Sequence, residues 1–193
     1  MGLSFHYSGS FNKNAFLSEM IAEVKDIAEV NQWRYIIYEK QFPSKDLGRK
    51  PYNQEIYGIS FSPHECEPVW ICFLSNGKMS SPSNLQMFGQ TKRRDERKYL
   101  YMLSVKTQYA GIHVHKIIID LLKYLDKKYF SELKVYDEGQ YWETGDDELL
   151  QTIFKRYDAA LQIVDSALDN NSRMANETFE QYLERILKNK WKK

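Results

Sequence analysis

The sequence has few cysteines and no complete motif for catalysis, metal binding or nucleotide binding. Cys66 and Cys72 are the only thiols among 193 residues, and two cysteines cannot supply the four thiolates of a structural zinc site. Cys72 lies in the apolar run 69–74, where a cysteine behaves as a small buried hydrophobic residue. We therefore predict neither a metal nor another cofactor.

Long hydrophobic runs are also missing. No stretch of 18 apolar residues is present, so no membrane span and no membrane partner are predicted. Near the N-terminus, polar side chains interrupt any apolar run, and we recognise no signal peptide there. A cytoplasmic location is the resulting expectation.

Neither sign of charge is in excess. The chain has 27 lysines and arginines against 26 aspartates and glutamates, a formal net charge of +1. Dedicated nucleic-acid binders usually carry a basic excess, so this balance argues against nucleic acid as the partner. The basic run 92–98 keeps that possibility open, because lysines and arginines can contact phosphates. It also contains two acids, and a solvated hairpin tip explains it more simply.

What is present has the composition of a globular domain, with 42% hydrophobic and 27% charged residues. Alternating polarity predicts strands and a 3.6-residue apolar period predicts helices. In chain order we predict a strand at 3–8, a helix at 13–31, strands at 33–39, 56–62, 69–74 and 99–107, a helix at 112–129 and a strand at 133–136. Consecutive strands favour antiparallel pairing, and helices on one face would give a two-layer α+β domain.

The first seven elements follow the order β-α-β-β-β-β-α, which resembles that of the TATA-binding-protein-like fold. The resemblance is one of topology alone and implies no DNA binding. After the extra strand, two helices at about 150–168 and 179–187 are predicted to form a helical hairpin through the break at 169–172. We predict a sheet domain at 1–145, with the hairpin, 146–193, packed on the same domain.

Residues 136–148, here called the acidic-aromatic stretch, hold six carboxylates, three aromatic residues and two glycines. In its second half, Thr144 is predicted to cap a helix, and Asp146, Asp147 and Glu148 would fill the first turn. Acids there complement the positive end of the helix dipole. This half has a structural explanation.

The first half has no structural explanation that we can derive. Its carboxylates are Asp137, Glu138 and Glu143, and a catalytic pair or a hard divalent cation would suit them. Tyr141 and Trp142 have the amphipathic rings that are enriched at recognition surfaces. Surface turn acids are the simpler interpretation of the carboxylates.

His6 is a further candidate, on the less apolar side of the first strand. His6, Ser60, Ser104 and Lys106 are predicted to share one open face of the sheet, since antiparallel sheets often leave a face available. The C-terminal hairpin covering that face is an equal alternative.

Two other groups attract less support. His113 and His115 could chelate a metal from a strand, but the apolar period from Val114 predicts a helix, which turns their side chains apart. The loop 64–67 offers a histidine, a thiol and carboxylates at a spacing that matches no established motif. Cys66 would need an activating partner to act as a nucleophile.

These observations predict a non-catalytic binding or protein-interaction module, with an unknown protein or small ligand as partner. The alternative is a hydrolase that uses an acidic site around 137–143, with or without a divalent metal. The predicted binding residues are Tyr141, Trp142, Asp137, Glu138, Glu143 and His6.

Overall fold

The structure is a computed structural model that describes residues 2–43, 47–48, 52–169, 177–178, 180–182 and 184–185. The chain divides into two compact units, one formed by Gly2–Phe154 and the other by Lys155–Lys193. The predicted boundary at 145/146, and the packing of the hairpin on the sheet domain, stay predictions.

The first unit contains all the strands found in the described residues. In chain order, the elements are β1 (Ser4–Phe11), α1 (Leu17–Val30), β2 (Arg34–Ile37), β3 (Tyr57–Ser62), β4 (Val69–Phe73), α2 (Pro82–Phe88), a 3-10 helix (Arg97–Tyr101), β5 (Leu103–Lys106), α3 (Gly111–Tyr129), β6 (Phe130–Asp137) and α4 (Tyr141–Thr144). Helix α5 (Asp147–Asp169) begins in this unit and continues into the second.

The strands form two antiparallel sheets of three strands each, in the orders β5-β1-β6 and β2-β3-β4. This confirms an α+β fold with antiparallel pairing. The predicted TATA-binding-protein-like order is not confirmed, because the fourth strand of the expected meander, β5, pairs with β1 instead of β4. Helix α2 and the 3-10 helix lie between β4 and β5, where no helix was predicted, and the 3-10 helix includes residues 99–101 of the predicted strand 99–107.

A short segment after β4 joins the two sheets. Lys78 forms an isolated bridge with Ser10 of β1, and Met79 forms one with Phe73 of β4. The side chain of Tyr7 adds a second link, because its hydroxyl donates to the Trp70 carbonyl at 3.0 Å and accepts from the Trp70 amide at 2.9 Å. Burial raises the pKa of Tyr7, so the hydroxyl stays protonated.

The helices bury the apolar faces that their sequence periodicity predicts. The buried residues of α1 recur at three- and four-residue intervals, namely Leu17, Met20, Ile21, Val24 and Ala28. Cys72 is fully buried, as predicted, in a hydrophobic cluster with Ile56, Leu74, Leu85 and Leu100. Both cysteines are free.

The second unit consists of most of α5 and of further helical residues at 180–182 and 184–185. Asp169, the first residue of the predicted break at 169–172, is the last residue of α5, and the rest of the break lies outside the described residues. Of the predicted last helix at 179–187, residues 180–182 and 184–185 are described and are helical, and the other four lie outside the described residues. Within the described residues, no helix combines the length and the apolar character that a membrane crossing requires.

Candidate functional site

The acidic-aromatic stretch folds as a tight corner between β6 and α5. Strand β6 ends at Asp137, the four-residue helix α4 follows at Tyr141, and Gly145 then takes a left-handed conformation with a φ of 64°. The central residue of this corner is Asp137. It was predicted as a binding residue, but it is only 2% exposed.

The buried Asp137 carboxylate holds the corner together. It accepts hydrogen bonds from the backbone amides of Gly139 at 2.8 Å, Tyr141 at 2.9 Å and Trp142 at 3.1 Å. The Tyr141 and Trp142 amides belong to the first turn of α4, and the Gly139 amide lies just before it. Amides at the start of a helix have no helical carbonyl that can accept from them. The carboxylate therefore caps α4 from a position four residues before Tyr141, the first residue of the helix.

A second connection runs from Asp137 into the interior. His115 of α3 lies with its Nε2 3.2 Å from Asp137 Oδ2, and its Nδ1 lies 2.8 Å from the Thr107 hydroxyl. Thr107 and His115 are both fully buried. The rings of Phe5 and Phe154 flank the imidazole edge-on, at centroid distances of 6.0 and 5.7 Å.

The environment keeps Asp137 ionised. Burial alone would raise the pKa of its carboxyl, but the hydrogen bonds from His115, Gly139 and Trp142 outweigh burial and lower it. Because an ionised carboxylate can only accept, Nε2 of His115 donates to it.

The order Thr107, His115, Asp137 is that of a nucleophile, a base and an orienting acid. However, all three side chains are sealed from solvent. Buried polar groups that satisfy one another in this way specify a unique packing. We therefore assign Asp137 and His115 to the framework of the site and not to its chemistry.

Sequence reasoning missed His115 as a partner of Asp137. The two histidines lie on α3, so the helix predicted there is confirmed. His115 is on the apolar face, three, four and seven residues before Ile118, Ile119 and Leu122. This periodicity was the available sign that His115 lies inside and needs a polar partner.

Glu138 and Glu143 lie on the outer side of the corner. They line a shallow pocket of about 330 Å³ together with Tyr136, Asp137, Gln140 and Thr144. Glu138 is partly engaged, since its Oε2 accepts from the Ser4 amide at 2.8 Å. His6 is at the edge of this group, with Nε2 4.0 Å from Glu138 Oε1. The structure thus brings together four of the predicted binding residues, namely Asp137, Glu138, Glu143 and His6.

Tyr136 is the exposed aromatic residue of this site, and the sequence analysis did not select it. Its side chain is 65% exposed and stacks with the His6 ring at a centroid distance of 6.1 Å. The register places His6 opposite both Tyr136 and Ser104, while Lys106 is opposite Ser4. His6, Ser104 and Lys106 therefore share one face of the sheet, as predicted, whereas Ser60 is buried in the other sheet.

Tyr141 and Trp142 differ from the exposed pair that was expected. Tyr141 is 8% exposed, so its predicted surface position is wrong, and Trp142 is half-buried. Both rings lie beneath the Lys123 ammonium, at 4.9 Å for Tyr141 and 5.9 Å for Trp142. Lys123 also donates to the Tyr141 carbonyl. The two rings pack the corner against α3.

The predicted cap of α5 is also wrong by two residues. Asp146 Oδ1 accepts from the amides of Glu148 at 2.9 Å and Leu149 at 3.0 Å, and α5 begins at Asp147. Thr144 instead donates to the Gln140 carbonyl and accepts from the Asp146 amide. Asp146 is the better cap because the short α4 engages Thr144.

Neither of the other two candidate loops forms a reactive site. Burial raises the pKa of the Cys66 thiol to about 12, so the thiol stays protonated at neutral pH. In the 92–98 run, Arg93 pairs with Glu96 at 2.8 Å on the surface. Across the described ranges, no group of three or more His, Cys, Asp and Glu residues is arranged to hold a metal ion.

No family model, curated protein or solved structure matches the chain at a significant level.

Proposed function

We propose that this chain is a non-catalytic binding module that takes an extended segment of a partner protein along strand β6. In the part of the chain that the structure describes, β6 lies at the edge of its sheet and pairs with β1 alone. An edge strand turns alternate backbone N–H and C=O groups outward, and these can pair with an incoming strand. β6 is eight residues long, which is enough for several such hydrogen bonds.

The observation that carries this proposal is the exposed Tyr136 ring at the mouth of the acidic pocket formed with Glu138 and Glu143. No basic side chain is among the described residues that line the pocket. A lysine or arginine of the partner would meet two carboxylates there and could lie over the Tyr136 ring. We infer that the partner segment carries a basic residue at this position.

The charges on β6 favour a partner over a second copy of this chain. Glu132 and Lys134 project from the same face as Tyr136 and pair with each other at 2.8 Å. Charged side chains on an edge strand oppose unselective pairing between copies. A partner segment whose charges complement Glu132 and Lys134 can still pair with β6.

The state of the reactive groups supports binding without catalysis. Asp137 is buried and ionised, and Glu138 is held by the Ser4 amide. Cys66 has a pKa of about 12. A general acid or base instead needs a pKa near the working pH and access to the substrate.

Selection of random decapeptides displayed on phage tests the proposal. We expect enrichment of extended sequences with one central Lys or Arg. Their affinity should fall by roughly tenfold or more in the Glu138→Gln/Glu143→Gln double variant and weaken with added salt. Backbone amide shifts of the bound protein should cluster at 131–138.

Tyr136→Ala should also weaken binding. Tyr109→Ala serves as the matched control, because Tyr109 is 58% exposed against 65% for Tyr136 and does not line the pocket. Enriched peptides that bind the Glu138→Gln/Glu143→Gln variant as tightly as the unmodified protein would contradict the proposal. So would shifts confined to other parts of the fold.

A hydrolase at the same pocket is the second candidate. It is favoured by the approach of His6 to Glu138 beside Glu143, since a histidine and two carboxylates are groups that activate water. Hydrolysis of p-nitrophenyl phosphate and of p-nitrophenyl acetate, with and without magnesium, manganese, calcium or zinc, tests it. Turnover that disappears in His6→Ala and in Glu143→Gln would establish the hydrolase. Equal rates in all three proteins would remove it.

A further inference from the structure

A second cavity lies away from the acidic pocket, where the end of β1 meets the start of α1. It has a volume of about 550 Å³, which is within the range of small-molecule sites, roughly 300–1,000 Å³. Residues 13–18 and 40–42 form most of its wall, and Phe11 and Leu47 complete it.

The apolar part of this wall is held in place by the core. The Phe42 ring lies 5.4 Å from that of Phe11 and 5.2 Å from that of Tyr57. Both Phe11 and Phe42 also pack edge-on against Phe73, which is fully buried. Phe16, by contrast, is 58% exposed on the cavity wall. The cavity wall therefore combines aromatic side chains that pack in the core with one that is largely exposed.

The charged groups of the cavity are all of one sign among its described lining residues. Lys13 and Lys40 line it, and no acidic side chain is among the described residues of its wall. Helix α1 begins at this wall, and Phe16 at its N-cap offers no side-chain acceptor to the first turn. The first amides of a helix have no intrahelical acceptor and carry its positive end, which favours an anion.

We propose that this cavity binds a small organic anion. Its apolar body would pack against Phe16 and Phe42. Its carboxylate or phosphate head group would be attracted by Lys13, Lys40 and the first turn of α1. This site is separate from the β6 edge, so it gives the module a second ligand of a different chemical class.

Titration calorimetry with three naphthalene probes tests the chemistry of the ligand. We expect 1-naphthyl phosphate or 1-naphthoate to bind saturably, and neutral 1-naphthol to bind at least roughly tenfold more weakly. Binding of the phosphate alone or of the carboxylate alone would decide the head group within the proposal. Saturable binding of neither anion at millimolar concentration, or equal binding of 1-naphthol, would overturn it.

Three variants locate the site. Lys13→Met/Lys40→Met keeps the apolar stems and removes both charges, so anion affinity should fall by roughly tenfold or more. Phe16→Ala should weaken all three probes. Lys127→Met is the matched control, because it removes one exposed charge from the same unit outside the cavity.

Amide chemical shifts provide the independent check. Perturbations from the anionic probes are expected at 13–18 and 40–42. Affinities that are unchanged in Lys13→Met/Lys40→Met, or shifts that lie elsewhere, would overturn the assignment. Because the substituted lysines and Phe16 are exposed, these variants should unfold at nearly the same temperature as the unmodified protein.

Discussion

The imidazole of His115 and the carboxylate of Asp137 form a buried pair, 3.2 Å apart and sealed from solvent. Breaking such a pair from one side is costly, because the remaining group stays buried without its partner. In this chain the cost extends to the three backbone amides that Asp137 also accepts from. The corner between β6 and α5 thus depends on a single side chain.

Asp137→Ala should lower the free energy of unfolding by about 3–5 kcal/mol, because it leaves His115 and the amides of α4 without their acceptor. Urea denaturation followed by far-UV circular dichroism measures this loss. Glu143→Ala is the control within the same stretch, since Glu143 is exposed and its removal should change stability by less than about 0.5 kcal/mol. Equal small losses in both variants would show that Asp137 does not support the corner.

The lowered pKa of Asp137 predicts a pH dependence of stability. The carboxyl has an ordinary pKa of 3.8 and a lower one in the folded protein. A depressed folded-state pKa stabilises the fold above the ordinary value, and this stability is lost as the pH falls through the folded-state pKa. The loss should therefore begin at about pH 4.5, where the unfolded chain starts to bind the proton, and continue as the pH falls through the folded-state pKa.

Asp137→Asn isolates this contribution, because the amide has nearly the same shape and does not titrate in this range. The difference in free energy of unfolding between Asp137→Asn and the unmodified protein should shrink as the pH falls below about 4.5. Other carboxylates contribute equally to both proteins and cancel. A difference that grows as the pH falls below about 4.5 would mean that the sign of the shift is wrong.

Much of the local structure could be predicted from the sequence. The alternation in 3–8 and 56–62 and the apolar run at 69–74 predicted β1, β3 and β4, and the apolar period of 112–129 predicted α3. These signals are local, because each reports which face of one element is buried. The shared face of His6, Ser104 and Lys106 followed from the same alternation.

The pairing of strands and the composition of the site could not be predicted in the same way. Whether β5 pairs with β4 or β1 depends on the path of residues 82–101, which turn into two helices between them. The exposure of the Tyr136 ring also depends on tertiary structure, because another strand or helix packed on this face of β6 would bury the ring. His115 and Asp137 are 22 residues apart, and no periodicity of either element relates them.

Substitutions at Asp146 and Thr144 test which of the two residues caps α5. Asp146→Ala should destabilise the protein by about 1 kcal/mol, because the side chain that accepts from the Glu148 and Leu149 amides is lost. Thr144→Ala should have a smaller effect, since its exposed hydroxyl can be replaced by water. Thermal unfolding of the two variants, with Asp146→Asn as the conservative replacement, gives the comparison. A larger loss in Thr144→Ala would restore Thr144 as the cap.

The two glycines of the acidic-aromatic stretch should respond to substitution for different reasons. Gly145 has a φ of 64°, and a Cβ added to it would meet no other atom within 4 Å, so only its backbone conformation resists a side chain. Gly139 lies outside the left-handed region, but a Cβ there would be 2.8 Å from Leu150 Cδ1 and 3.0 Å from His115 Nε2.

Gly145→Ala should cost about 1–2 kcal/mol through the left-handed backbone, and Gly139→Ala about 1–3 kcal/mol through overpacking of the buried pair. Asparagine separates the two causes, because it tolerates the left-handed region but is larger than alanine. Gly145→Asn should therefore be more stable than Gly145→Ala, while Gly139→Asn should be less stable than Gly139→Ala. Urea denaturation of the four variants measures both differences. The same order of asparagine and alanine at both positions would mean that Gly139 is not required for the close packing of His115 against Asp137.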